Sequence, residues 1–279
     1  MHFIDLERKY SYEELLRQTI CLANTYKPFL TLTTYGQSVQ GREIIGLKIG
    51  FGPTRLLCTG GVHGRESINP VVLVRIAEHY AKNYYHHPMF KEHSCLILPL
   101  VNPDGYTIAA AENPWHKENA RGIDLNRNFA SATFCPTSRM PAPFSEPESR
   151  IVREVMSIPQ LLCYLDFHSR GNTIYYYRNQ KDKAYNLRQK EIALYLSHLT
   201  GYSLQEPELE LDPNSGGGNT VHYFSEYIDK PALTIETAPD QAEFPMDACY
   251  QRTVYSDIQM VPFYCMEKFC YYSCSNKSS

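Results

Sequence analysis

The chain has 279 residues, of which 43% are hydrophobic, enough for one large domain with a buried core or for two small ones, and no break in composition favours two. Its 27 basic and 30 acidic side chains give a formal net charge of −3, which excludes the marked basic excess of nucleic-acid-binding and acidic-membrane-binding proteins. No stretch approaches the ~20 apolar residues of a membrane span, and the first residues lack a secretory pattern, so we expect a cytoplasmic protein.

The first part of the chain alternates short apolar runs with amphipathic segments. A helix is predicted over Tyr12 to Tyr26, with Ser11 as the N-cap of a capping box. A hairpin over 30–50 and an apolar strand, "TRLLCTGG", follow. A second helix is then predicted from about Pro70 to Tyr84, with Asn69 at its N-cap.

The same alternation continues through the rest of the chain. The predicted elements are the strand "SCLILPLV", a turn at "NPDGY", a loop-rich section, a helix over 147–157, the strands "LLCYLDF" and "TIYYY", a helix over 183–200, a short helix over 220–228, the strand "PALTIET" and a final helix from about Asp247. Apolar strands separated by helices predict an α/β fold with a mostly parallel or mixed sheet between helices. We expect one domain over 1–275 and a disordered tail over 276–279.

Nine cysteines, an odd number, do not suggest a disulfide framework. Several lie inside apolar runs such as "RLLCTG" and "SCLILPL", as buried reduced thiols do. Cys265, Cys270 and Cys274 lack the C-x-x-C pairing of common metal sites, and we interpret them as core residues.

Polar side chains that could hold a metal occur where predicted strands end. His63 and Glu66 lie three residues apart in "GGVHGRESIN", and His168 ends the strand in "YLDFHSRGN". Each alone has an ordinary structural explanation, but together they match the His₂Glu set of catalytic zinc sites, where zinc acidifies a water molecule and polarises a carbonyl. Glu236, at the end of "PALTIE", is a candidate base for that water, unless it simply faces solvent.

The segment "GIDLNRNF" offers a second group of candidates. Arg127, beside Asn126, could bind a substrate carboxylate in bidentate fashion, or it could be an ordinary surface arginine. Asp124 could accept the distal N–H of a metal-bound histidine.

Six segments, in this order, resemble the zinc metallocarboxypeptidase family, which includes the digestive carboxypeptidases A and B. They are "HGRE", "NPDGY", "GIDLNRNF", "FHS", "SGGGN" and "TIE". The resemblance implies a single α/β domain with a mixed eight-stranded sheet and one zinc ion per chain. It also implies that His63, Glu66 and His168 bind the metal, that Glu236 is the general base, that Asn126 and Arg127 bind the terminal carboxylate, and that Asp124 supports the first histidine.

Two features depart from the digestive members. The family's oxyanion arginine lies between "NPDG" and "NRN", and the candidates here are Arg121 and, less directly, Lys117 or His116. No tyrosine precedes the Gly-rich segment in "ELDPNSGGGN", so capping of the substrate must differ, and Tyr223 or Tyr202 are possible replacements.

Side-chain preference should be set near Gly218, Asn219 and Thr220, which form neither an apolar nor an acidic pocket. The segments "ENARGIDLNRNF" and "DFHSRGNTIYYYR" are most similar to the bacterial branch that cleaves γ-D-glutamyl-meso-diaminopimelate bonds of cell-wall peptides. A substrate of this kind carries additional carboxylates, and Arg170 is placed to bind one. Ser169 and Asn219 are further candidates for substrate contact.

Three functions therefore remain open. The first is a hydrolase that cleaves a muropeptide and has no nucleic-acid or membrane partner. The second is a general carboxypeptidase that releases C-terminal L-residues. The third is a catalytically inactive relative that binds peptides. Retention of His63, Glu66, His168 and Glu236 argues against the third. The sequence leaves the oligomeric state open.

Overall fold

An eight-stranded mixed sheet forms the centre of the molecule in the computed structural model, which describes residues 2–207 and 218–275. The strands are β1 (Leu30–Gln37), β2 (Glu43–Gly50), β3 (Thr54–Gly60), β4 (Ser94–Leu98), β5 (Cys163–Ser169), β6 (Thr173–Tyr175), β7 (Ser203–Leu204) and β8 (Ala232–Thr237). They lie in the order β1-β2-β4-β3-β5-β8-β6-β7, and β4, β3, β5 and β8 are parallel neighbours. The predicted single α/β domain with eight strands is confirmed.

Helices accompany the sheet along the described chain. They are α1 (Tyr12–Thr25), α2 (Ile68–Asn83), α3 (Pro88–Glu92), α4 (Pro103–Ala111), α5 (Pro147–Met156), α6 (Lys183–Thr200), α7 (Thr220–Tyr223), α8 (Cys249–Ile258) and α9 (Val261–Ser275). The capping box predicted for the first helix is present, since the Glu14 amide donates to Ser11 Oγ and the Ser11 amide donates to Glu14. Within the described ranges, no helix is both long and apolar enough to span a bilayer.

Two local predictions are wrong, and hydrogen bonding explains both. The second helix begins at Ile68, so Asn69 lies inside its first turn, where its buried amide group bonds Ser169 Oγ and Thr237 Oγ1 across the ends of β5 and β8. The "NPDGY" segment starts a helix rather than forming an isolated turn, because Asn102 Oδ1 accepts the Gly105 amide and Pro103 occupies the first helical position.

Buried side chains fill two apolar clusters of the α/β domain. Cys58, Cys95 and Cys163 are buried and free, as their apolar surroundings predicted. Cys265 and Cys270 are buried in the larger cluster, which confirms their interpretation as core residues, whereas the side chain of Cys274 and the tail 276–279 lie outside the described part.

Candidate metal centre

The candidate residues meet at one edge of the sheet, where the parallel strands β3, β5 and β8 end side by side. The turn after β3 bears His63 and Glu66, while His168 and Glu236 are register partners near the ends of β5 and β8. Gly61 has a φ of +60°, and a Cβ there would lie 2.6 Å from Leu100 Cδ1, so this abrupt turn requires glycine. The topology thus brings together residues that are more than 100 positions apart in the chain.

Three buried side chains converge on one point. His63 Nδ1 lies 2.6 Å from Glu66 Oε1, and His168 Nδ1 lies 3.0 Å from Glu66 Oε2. The two Nδ1 atoms lie 3.2 Å apart, and one ligand atom from each residue fits within 4.8 Å of the others. Tetrahedral zinc with bonds of about 2.0–2.1 Å places neighbouring ligand atoms about 3.3 Å apart. His63, Glu66 and His168 therefore form a donor set that fits zinc.

A carboxylate lies next to the Nε2 atom of each imidazole ring. Asp124 Oδ1 lies 3.4 Å from His63 Nε2, but His63 Nε2 forms no hydrogen bond with the described residues, so acceptance of this N–H by Asp124 stays a prediction. Asp166 Oδ2 lies 3.0 Å from His168 Nε2, and sequence reasoning missed this residue. The sequence could have indicated Asp166. It lies two residues before His168, and residues two apart in a strand point to the same face of the sheet. A charged side chain is also costly within a buried strand, which suggests that it has a partner there. The Asp166 contact holds the His168 ring with Nδ1 turned towards the ligand cluster.

The charges at the site hold most of these carboxyl groups ionised. Burial alone raises the pKa of Glu66, but the neighbouring His63 and His168 outweigh it and hold that pKa well below its usual range. For Asp124 burial is again outweighed, here by the neighbouring His63 and by Lys117, so its pKa is also lowered.

Glu236 differs from the other carboxylates of the site. Burial raises its pKa to about 7, with the opposing charge of His168 only partly offsetting the effect. Its Oε2 atom is buried and accepts no hydrogen bond from the residues that the structure describes. A carboxylate with an open acceptor atom and a pKa near neutrality is suited to exchange a proton with a water molecule or a substrate.

The predicted carboxylate-binding pair lies on a 3₁₀ turn over Leu125–Arg127. Asp124 Oδ1 accepts the Asn126 amide, and Asn126 Oδ1 accepts the Thr220 amide at 3.2 Å. The Nδ2 group of Asn126 has no hydrogen-bond partner among the described residues. The Arg127 Nη1 group donates to the Asn126 carbonyl oxygen, and its remaining N–H groups have no other bond that involves the described residues.

Among the candidates for the oxyanion position, the structure brings Lys117 to the site. Its Nζ lies 2.7 Å from Asp124 Oδ2, and Asp124 itself contacts His63. Arg121 instead lies 3.5 Å from the Glu146 carboxylate, and its side chain is 56% exposed. His116 faces Glu118 at 3.9 Å. The preference for Arg121 is therefore not supported by its position.

Three other predicted substrate contacts have structural partners. Ser169 is buried, and its Oγ lies 3.0 Å from Thr237 Oγ1, so it joins β5 to β8 and is not open to a substrate. Asn219 Oδ1 accepts the His222 amide and caps α7. Arg170 donates to the carbonyl oxygens of Asp240 and Ala242, and its guanidinium carbon lies 5.8 Å from the Phe244 ring centroid.

The two proposed substitutes for a capping tyrosine are held in place. Tyr202 is 2% exposed and its hydroxyl group donates to Asp257, so it cannot cap a substrate. Tyr223 packs between Phe144 and Tyr227. The segment that lacks the tyrosine falls largely in residues 208–217, which lie outside the described residues.

Comparison with known proteins agrees with this geometry. The chain is 28% identical over 190 residues to carboxypeptidase B of Astacus astacus, a match that covers 60% of this chain and 63% of that protein. It is 22% identical over 292 residues to gamma-D-glutamyl-L-diamino acid endopeptidase 1 of Lysinibacillus sphaericus, which covers 89% of this chain and 71% of that protein. The match thus spans less than two thirds of the length of the carboxypeptidase B.

A solved structure shows the same fold. Bovine thrombin-activatable fibrinolysis inhibitor, in complex with tick carboxypeptidase inhibitor, superposes with a TM-score of 0.82 at 20% identity, over 96% of this chain and 99% of that chain. Residues 15–248 match the zinc carboxypeptidase family, peptidase M14. Because this match covers most of the sequence and includes His63, Glu66, His168 and Glu236, the chain belongs to the zinc carboxypeptidase family.

Proposed function

We propose that the protein is a zinc-dependent peptide hydrolase that cleaves next to a residue with a free carboxylate. The observation that carries this proposal is the buried His63, Glu66 and His168 cluster beside the open acceptor atom of Glu236. The three ligands would hold one zinc ion per chain, which supplies Lewis acidity to the scissile carbonyl and to the attacking water.

The protein's own residues then have separate tasks. Glu236 takes a proton from the water and passes it to the leaving amine, and its pKa of about 7 suits both transfers. Arg127 and the Nδ2 group of Asn126 bind the terminal carboxylate. Lys117, paired with Asp124 beside His63, offers a cation to the oxygen on which negative charge develops.

Within this class, we propose a cell-wall peptide, specifically the γ-D-glutamyl-meso-diaminopimelate bond of a muropeptide. The relative that matches 89% of this chain carries the name gamma-D-glutamyl-L-diamino acid endopeptidase, which supports this choice. Arginine side chains support it too, since Arg65 and Arg170 both lie over the Phe244 ring and offer cations to an acidic substrate. The match to carboxypeptidase B makes release of ordinary C-terminal L-residues the second candidate.

A direct comparison of substrates tests the proposal. The purified protein is loaded with zinc, its metal content is measured, and L-Ala-γ-D-Glu-meso-diaminopimelate is compared with hippuryl-type peptides. We expect turnover of the first and little of the second. Turnover of only the hippuryl peptides would select the general carboxypeptidase, and stoichiometric zinc without hydrolysis of any peptide would favour an inactive peptide-binding relative. A cytoplasmic location stays a prediction, to be checked by cell fractionation.

A further inference from the structure

Three neutral polar side chains are buried together next to the metal centre. They are Asn69 of α2, Ser169 at the end of β5 and Thr237 at the end of β8. Ser169 and Thr237 are register partners, one position after His168 and Glu236. Successive side chains of a strand point to opposite faces, so this pair meets Asn69 on the face away from the side chains of the ligand and the base.

The three side chains form a closed ring of hydrogen bonds. The Asn69 Nδ2 group donates to Ser169 Oγ at 3.1 Å, Ser169 Oγ lies 3.0 Å from Thr237 Oγ1, and the Thr237 hydroxyl group donates to Asn69 Oδ1 at 2.8 Å. A hydroxyl group has one hydrogen, and the shortest contact of Thr237 gives that hydrogen to the amide. Ser169 then donates to Thr237, so every member of the ring donates one bond and accepts one.

The ring also contacts the metal ligands through the backbone. Thr237 Oγ1 lies 3.1 Å from the His168 carbonyl oxygen, and the Ser169 amide donates to Glu66 Oε2 at 3.2 Å. Asn69 lies three residues after Glu66, in the first turn of α2. The three segments that carry these two ligands and the base therefore each contribute one member to the ring.

Stability alone does not require a polar ring at this place. Replacing hydrogen-bonded partners by apolar groups of the same shape is nearly neutral for stability. Hydrogen bonds are directional, however, and these bonds join residues 68, 100 and 168 positions apart in the chain. Functional side chains must be held within about 0.5 Å of their working positions. A directional ring between the three segments supplies that constraint.

We propose that Asn69, Ser169 and Thr237 act together as positioning residues that fix the metal ligands relative to Glu236. The inference rests on the proposed zinc site, and it adds residues whose side chains contact neither the metal nor the substrate. Bonds in a closed ring strengthen one another, so loss of one member weakens the others as well. Loss of a second member should then have little additional effect.

Zinc affinity, measured by competition with a chelator, tests the proposal without a substrate. Thr237→Val and Ser169→Ala each remove one hydroxyl group of the ring, and each should weaken zinc binding by about tenfold, as loss of a residue that orients metal ligands does. Thr237→Ser keeps the hydroxyl group and should bind zinc as the wild type does. The double variant should also weaken binding by about tenfold, whereas independent effects would multiply to about a hundredfold.

A matched control separates positioning from stability. Thr19 is buried in α1, and its hydroxyl group donates to the Leu15 carbonyl oxygen at 2.7 Å. Thr19→Val should therefore lower the free energy of unfolding but leave zinc affinity unchanged. Kinetics give a second readout: on a substrate that the wild type cleaves, Thr237→Val should lower kcat more than it raises KM, because Arg127 lies on a different segment.

Unchanged zinc affinity in folded Thr237→Val or Ser169→Ala would overturn the proposal, so one folded single variant is sufficient. Equal losses in Thr237→Ser and Thr237→Val, or a hundredfold loss in the double variant, would overturn it as well. The hydrolase function can fail separately: a wild-type protein that binds zinc but cleaves no peptide refutes that function, while the zinc affinities still test the ring. A wild-type protein that binds no zinc would overturn both.

Discussion

Replacement of Glu236 by glutamine is the sharpest test of the proposed chemistry. The substitution keeps the size of the side chain in its partly buried position but removes the group that accepts a proton. General base catalysis contributes about 10²–10⁴-fold to a rate, so we expect kcat to fall by that factor. Glu236 is not one of the three ligands, so zinc should still bind at one ion per chain.

The pH dependence gives the same test a second readout. Since burial raises the pKa of Glu236 to about 7, the wild-type rate should rise with pH through an inflection near that value. A bound dication favours the ionised carboxylate, so zinc shifts the inflection to 7 or below and not above. Below the inflection Glu236 is protonated and the rate should fall about tenfold per pH unit. The glutamine variant should lose this inflection.

The assay measures kcat and KM from pH 5 to 9 on protein of known zinc content. Glu191→Gln, which changes an exposed glutamate on α6, serves as the control and should keep the wild-type profile. A glutamine variant that binds stoichiometric zinc and retains kcat within tenfold of the wild type would refute the assignment of Glu236 as the base.

Three further predictions follow from individual contacts. Asp166→Asn should weaken zinc binding by about 10–100-fold, as measured by competition with a chelator, because the residue orients His168. Lys117→Met should lower kcat strongly, whereas Arg121→Met should change kcat little. A larger loss of kcat in Arg121→Met than in Lys117→Met, measured in parallel, would instead assign stabilisation of the oxyanion to Arg121. Ser11→Ala should lower the free energy of unfolding by about 1 kcal/mol in urea titration, since it removes the N-cap of α1, and an unchanged midpoint would contradict that role.

Much of the fold could be predicted because periodicity and capping are local properties of the sequence. The helix over Lys183–Thr200 begins and ends where its pattern predicted, with Asp182 as N-cap and Gly201 in the left-handed conformation at its end. Asn69 shows the limit of this reasoning. It precedes a proline as an N-cap often does, but contacts with β5 and β8, a hundred residues or more away, place it inside the helix.

The candidate site was predictable to a similar degree. The positions of His63, Glu66 and His168 at strand ends are visible in the sequence, and the structure brings them together. The choice between Lys117 and Arg121 was not visible, because both lie in an irregular loop whose path depends on distant partners.

The charge balance at the site gives an independent argument for a metal. Glu66 and Asp166 are buried, and Asp124 and Glu236 lie beside the same two histidines, so four carboxyl groups share a small volume. Among the described side chains, Lys117 is the lysine that contacts this group. The Nδ1 atoms of His63 and His168 face each other at 3.2 Å beside these carboxyl groups, and two positive rings would repel each other at this distance. A dication bound by the two Nδ1 atoms would offset the negative charge of the carboxylates without placing a positive charge on either ring.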